Sequence, residues 1–287
     1  MKARVPIALA LVVAGLPFAV VAQKPTFSSR VEAVRVDVLV TRDGKPVRGL
    51  GSADFDVFDN GVRQQVDLAS FEQLPLNVVL TLDMSDSVVG ERLANLRAAG
   101  QGLLGKLRNG DRAALVTFNQ SVVLRADLTA DLSRVRVALD RADSSGNTAV
   151  VDASYTGLML GESDVGRALV IVFSDGLDTS SWLTPATVLE IAKRTDAVLY
   201  AVSAGAGQDS EFLRKLSEQT GGRLFELEST KNLDAVFMQV LDEFRQRYVV
   251  SYSPSGVATD GWHQLTVRVN SRGAAVKARP GYLAGPR

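Results

Sequence analysis

The 287-residue sequence has no cysteine and a single histidine, His263. The first absence excludes disulfide staples, thiolate metal sites, thiol catalysis and a lipid-modified N-terminal Cys. The second excludes multi-histidine metal centres and leaves little acid–base chemistry near neutral pH. Charge of one sign is also missing. The 32 Lys and Arg balance 32 Asp and Glu, so no strong field is available to gather nucleic acid or an anionic membrane. There is no internal repeat, no low-complexity stretch, and no apolar run of spanning length beyond the first two dozen residues. What is there is ordinary for a globular protein: 46% apolar and 22% charged residues, with length for about two domains and a substantial core.

The one long apolar run stands at the start. Lys2 and Arg4 precede a stretch from Val5 to Ala22 that Gly15 and Pro17 interrupt. Val20 and Ala22 fit the small-residue positions before a cleavage site, so residues 1–22 read as a signal peptide with the mature chain starting near Gln23. The run is about the minimum length for an uncleaved anchor, but Pro17 near its end and the small residues after it favour cleavage. Without Lys2 and Arg4, 30 basic residues face 32 acidic ones. The expectation is an exported protein, periplasmic or extracellular, with no membrane span after cleavage.

Beyond this segment the pattern is β at both ends and alternating in between. Val34, Val36, Val38 and Val40 alternate with polar residues, as in a half-buried strand. Asp43-Gly44 supplies a turn, and Asn60-Gly61 between Phe55-Val57 and Val62-Val66 predicts a hairpin. After Pro75, Leu76–Leu82 is almost continuously apolar, as expected of a parallel strand covered on both faces. Strands are predicted again at Ala113–Phe118, Ala168–Phe173, Ala197–Val202 and Leu224-Phe225, with Val122–Leu124 as a short edge strand. Helices are predicted between them: one carrying Leu93, Leu96, Leu103 and Leu107, then Asp131–Arg141, Ala149–Leu160, one begun by Thr184-Pro185, one from Ser210, and Thr230–Arg245. This alternation predicts a doubly wound, mostly parallel α/β sheet over residues 75–246. After Arg247 the β character returns at Tyr248–Tyr252, around Leu265–Val269 and at Ala275–Ala278. The two β pieces, residues 23–74 and 247–287, are each small for an independent core, which suggests one β-sandwich with the α/β domain inserted in it.

In an open α/β sheet ligands bind beyond the carboxyl ends of the strands. There the sequence places Asp83-Met84-Ser85-Asp86-Ser87, Ser144-Ser145-Gly146-Asn147-Thr148 and Ser174-Asp175-Gly176. A set of oxygen donors without His or Cys suits a hard cation such as Mg²⁺. Taken singly, each residue has a plainer reading: Asp and Ser after strands cap helices, and Asp-Gly makes turns.

Asp83-x-Ser85-x-Ser87, Thr148 in its Gly-x-Thr loop and Asp175 in its Ser-Asp-Gly turn resemble, in spacing, order and strand context, the metal-ion-dependent adhesion site of von Willebrand factor type A domains. The resemblance runs from about Leu76 to Arg247. The flanking runs Asp54–Gly61 and Ala278-Arg279-Pro280-Gly281-Tyr282 resemble an exported bacterial family related to those domains. The resemblance implies that Ser85 and Ser87 bind a metal directly, that Thr148 binds it directly or through water, and that Asp83 and Asp175 hold metal-bound waters and the serine hydroxyls. The metal would be Mg²⁺, with Mn²⁺ or Ca²⁺ as alternatives. The partner would be a protein offering an exposed Asp or Glu, and the activity would be adhesion or scaffolding without catalysis. Asn147 stands where many members carry a second Gly. The last helix can shift in related domains, which implies that ligand occupancy biases the angle to the β segments.

Other assignments were weighed beside these. Asp86 and Asp178 read as solvated neighbours, although Asp178 and Trp182 lie where a partner could touch. Trp182 also suits packing against the following helix. A haloacid-dehalogenase-like phosphatase needs a carboxylate where Ser85 stands. A serine hydrolase would use Ser203 as nucleophile and His263 as base, with Asp234 or Asp242 between them; Ala201 replaces the first Gly of its nucleophile elbow, and His263 suits a water-facing strand position. A structural module with a vestigial metal site is the remaining alternative.

Overall fold

The structure, a computed structural model, describes residues 33–71, 74–162, 166–205 and 210–285. The signal-peptide assignment for residues 1–22 falls outside them. Residues 32–287 cluster as one compact unit.

The chain begins with β1 (Val34–Arg42), β2 (Lys45–Pro46), β3 (Phe55–Asp59), β4 (Val62–Gln64) and β5 (Val66–Ser70). The two predicted turns fall where the backbone turns left-handed, with φ of 50° and 72° at Asp43 and Gly44 and of 47° and 80° at Asn60 and Gly61. That geometry joins two strands by a two-residue turn. Then follow β6 (Leu76–Asp83), α1 (Glu91–Lys106), β7 (Arg112–Phe118), β8 (Val122–Thr129), α2 (Leu132–Asp140), α3 (Val150–Gly161) and β9 (Arg167–Ser174). The alternation ends with α4 (Pro185–Ala192), β10 (Val198–Ala204), α5 (Glu211–Gln219), β11 (Leu224–Leu227) and α6 (Leu233–Arg245). Strands β12 (Tyr248–Tyr252), β13 (Gly261–Val269), β14 (Ala275–Lys277) and β15 (Gly281–Ala284) close the chain.

The six strands of the middle form one sheet in the order β11-β10-β9-β6-β7-β8. All neighbours are parallel except β7 and β8. All eight residues of β6 are buried, because helices cover both faces. Leu76, Val78, Leu80 and Leu82 pack with Leu96 and Leu103 of α1, Val135 and Leu139 of α2, and the apolar stripe of α6. Val79 packs on the other side with residues of α3, α4 and α5. The chain leaves β6 toward β7 on one side and later returns to β9 on the other, so the strand order reverses at β6 and β9. That switch point opens a crevice at their carboxyl ends. Two details differ from expectation. β8 runs for eight residues rather than three, since an edge strand half covered by α2 needs no continuous apolar run. β15 was not anticipated, being four residues set among Gly and Pro.

The β segments from the two ends of the chain interleave. One antiparallel sheet has the order β14-β1-β12-β5 with β2 on β1, and the other β15-β13-β3-β4. Val36, Val38, Val40, Phe55, Val57, Tyr248, Val250, Tyr252 and Leu265 from both sheets share one core. His263 lies in that core and not toward water. It is fully buried, its Nδ1 is 2.7 Å from Asp59 Oδ1, and Tyr252 and Tyr282 donate to Asp59 Oδ2 at 2.8 and 2.9 Å. A buried carboxylate must be satisfied from several sides, and the His is one of its three partners.

Arg247, in the short link between α6 and β12, ties the α/β sheet to the β segments. Only 1% exposed, it donates to Tyr200 OH at 2.8 Å and to the carbonyls of Gly221 and Asp37 at 2.7 and 3.2 Å. Arg167 pairs with Asp37, and Arg279 with Asp196. Among the described residues no helix is long and apolar enough to cross a membrane.

Candidate metal centre

Three loops meet in the crevice, and backbone hydrogen bonds join them. Ser145 N–H donates to Met84 O at 2.8 Å, and Asp86 N–H to Gly146 O at 2.9 Å. The N–H groups of Thr179 and Ser180 both donate to Thr148 O, at 2.8 and 3.1 Å. Thr148 N–H in turn donates to Thr179 Oγ1 at 3.1 Å. Gly146 suits its place because the backbone there turns left-handed, with φ of +78°.

On this frame the five predicted residues come together. Asp83, the last residue of β6, accepts from Ser85 N–H at 2.9 Å and from Ser174 Oγ at 2.7 Å. Ser85 Oγ lies 2.9 Å from Ser87 Oγ. Ser87 Oγ donates to Asp175 Oδ1 at 2.5 Å. A Cβ on Gly176 would stand 3.2 Å from Thr148 Oγ1 and 3.7 Å from Ser87 Oγ, so both hydroxyls border the same glycine. Asp83, Ser85, Thr148 and Asp175 are buried, whereas Ser87 is exposed. Burial pushes the Asp83 carboxyl up to about 6 against the pull of its hydrogen bonds from Ser85 and Ser174, and the neighbouring Asp175 carboxylate adds to the rise.

Two partners were missed by sequence reasoning. Ser174 has no role in the sequence reading beyond its place in the Ser-Asp-Gly turn. Arg92, in the first turn of α1, has none at all, yet its Nη1 donates to Asp175 Oδ2 at 2.8 Å and to Ser87 O at 3.3 Å. No local signal marks either, because the carboxylates they meet lie more than 80 positions away in sequence.

The outlying candidates separate. Asp86 is exposed. Asp178 is exposed too, but its carboxylate accepts from Val151 N–H and from Ser181 Oγ, at 3.3 and 2.6 Å, and so serves the start of α3. Trp182 does not pack on the following helix; it is 93% exposed. Its loop is nonetheless fixed, for Asp152 accepts from the N–H groups of Trp182 and Leu183 at 2.9 and 2.8 Å. Ser203 and His263 have separate partners. Ser203 Oγ accepts from Ser210 Oγ at 3.0 Å at the end of β10, while His263 sits against Asp59 in the other core.

The donors fit a hard divalent cation. They are three hydroxyls and two carboxylates held by one frame, with no sulfur or imidazole among them. Among the described residues no group of three or more His, Asp or Glu that could hold a metal gathers, here or elsewhere; this site brings two carboxylates and three hydroxyls. With Arg92 paired to Asp175, the side-chain charges of the site sum to −1.

A family profile described as the von Willebrand factor type A domain matches residues 77–239. A protein of Synechocystis sp., sll0103, is 25% identical over 236 residues, which cover 74% of this chain and 54% of its own. The chain thus spans about half the length of that relative. Among solved structures, von Willebrand factor type A from Catenulispora acidiphila aligns with a TM-score of 0.53 at 12% identity, over 89% of this chain and 75% of that one. Proximal thread matrix protein 1 of the mussel byssus, with a zinc-occupied MIDAS motif, aligns with a TM-score of 0.54 at 16% identity, over 63% and 48%. At these identities the two structures establish a likeness of fold.

Proposed function

The chain belongs to the von Willebrand factor type A family, and on that premise we propose that it is an exported, non-enzymatic binding module that captures an acidic side chain of a protein partner. The observation that carries this reading is the convergence of Asp83, Ser85, Ser87, Thr148 and Asp175 from three loops at the switch point of the sheet. We take the type A part to be residues 75–246, seated on the β segments 23–74 and 247–287, with residues 1–22 as the export signal.

A divalent cation, Mg²⁺ in our reading, supplies an open coordination position for the partner's carboxylate. The protein's part is to leave the cation's charge under-neutralised at that open position. Ser85, Ser87 and Thr148 offer neutral hydroxyl oxygens, and Asp83 and Asp175 stand behind them. Because the hydroxyls that face the cation are neutral, charge remains at the open position to attract an anion. Val89 and Leu177, each 53% exposed, and Trp182 stand on the loops that carry the site and supply apolar contact around it. Asp178, engaged with α3, contributes by holding that loop.

Calorimetric titration of the purified chain with Mg²⁺ and with Mn²⁺ tests the site. One equivalent should bind, and Asp175→Ala should abolish it. Absence of binding to the wild type would overturn the reading.

A further inference from the structure

We infer that Arg92 is a built-in counter-ion for Asp175, so that loading the metal centre is an exchange of one cation for another and Arg92 sets the affinity. The inference rests on the metal-site reading above and adds a residue to it.

Both carboxylates of the site are fully engaged. Both oxygens of Asp83 are engaged, by Ser85 N–H and Ser174 Oγ. Both oxygens of Asp175 are engaged as well, Oδ1 by Ser87 Oγ at 2.5 Å and Oδ2 by Arg92 Nη1 at 2.8 Å. The same Nη1 donates to Ser87 O at 3.3 Å, which closes a ring through Ser87, Asp175 and Arg92. A cation taking up Ser87 and the charge of Asp175 therefore meets donors already bound to each other. It also meets a positive charge one carboxylate away.

Exposure decides which member of the ring can leave. The Asp175 side chain is 0% exposed and that of Arg92 is 51%. Asp175 cannot turn to water, and stripped of a cation it would be a buried unpaired carboxylate. Arg92 can swing its guanidinium into solvent at little cost, because half of its side chain is already there. The ring thus protects the buried acid when the metal is absent and yields when it arrives.

Metal titration of the full chain, its Arg92→Gln and Arg92→Lys variants, and Asp175→Ala tests this. Arg92→Gln removes the competing charge and should bind Mg²⁺ about tenfold more tightly than wild type, from the loss of like-charge repulsion at a few ångströms. Arg92→Lys keeps the charge and should stay within about threefold of wild type. Without metal, Arg92→Gln should melt about 2–4 °C below wild type, as Asp175 loses its partner, and should gain more than wild type on adding Mg²⁺. Unchanged or weaker binding in Arg92→Gln, with the wild type binding normally, overturns the role of Arg92 and leaves the metal site standing. No binding in any of the proteins overturns the metal-site reading and this inference with it.

Discussion

Asp83 ends the central strand with its carboxyl enclosed, and burial lifts that carboxyl from 3.8 to about 6. A folded-state value above the unfolded one means that the native protein keeps a proton which the unfolded chain has released. The stabilising proton is fully present below about pH 4 and is lost as the pH rises through about 6. At neutral pH the metal-free protein therefore carries a penalty of about 3 kcal/mol at this residue. Melts in a chelator from pH 4 to 8 should show Asp83→Asn gaining on wild type as the pH rises, with most of the gain between 4 and 6. Parallel profiles for the two proteins would refute it. The five oxygen donors were legible because each falls at a strand end or in a Gly-containing loop at a recognisable spacing. Arg92 and the burial of His263 were not. A single helical arginine and an alternating strand histidine look the same in sequence whether water or a distant carboxylate meets them.

The element that binds the site into a unit is the loop from Asp175 to Thr184. Its middle pins Thr148 through Thr179 and Ser180, and its end is pinned by Asp152 of α3 through two backbone N–H groups. Asp152→Ala should cost about 1–2 kcal/mol in chemical denaturation, as both N–H groups lose their acceptor. It should also weaken metal binding several-fold by loosening the support of Thr148, although Asp152 is not itself a ligand. Full stability with unchanged affinity would show that the loop needs no such support. At this scale the sequence was informative wherever both faces of an element are covered. The strand read at Leu76–Leu82 and the helix read at Thr230–Arg245 fall on β6 and α6, because burial writes itself into a nearly continuous apolar run or a stripe of spacing three and four. It was weak at margins, where β8 has one partner strand and β15 is short.

For the whole molecule, the decisive feature is the buried junction around Arg247. Arg247→Met should cost about 2–4 kcal/mol, because Gly221 O, Asp37 O and Tyr200 OH all lose a donor at a buried position. Calorimetry should show one transition for wild type, and a lower or split one for the variant. The same region bears on the expectation that ligand occupancy alters an angle between α/β and β parts. Arg245 at the end of α6 is paired with Asp111 at 2.5 Å, both nearly fully buried, so a sliding helix would have to break a buried ion pair. The pairing of β1 with β12 and β14 has a consequence in time as well as space. β1 cannot meet β12 and β14, nor β3 its partner β13, until those later strands have been made. The central α/β sheet has all its strands earlier. β1 and β3 are thus made before the α/β sheet but completed after it, and until then these valine-containing strands are open edges that must be kept from wrong pairing.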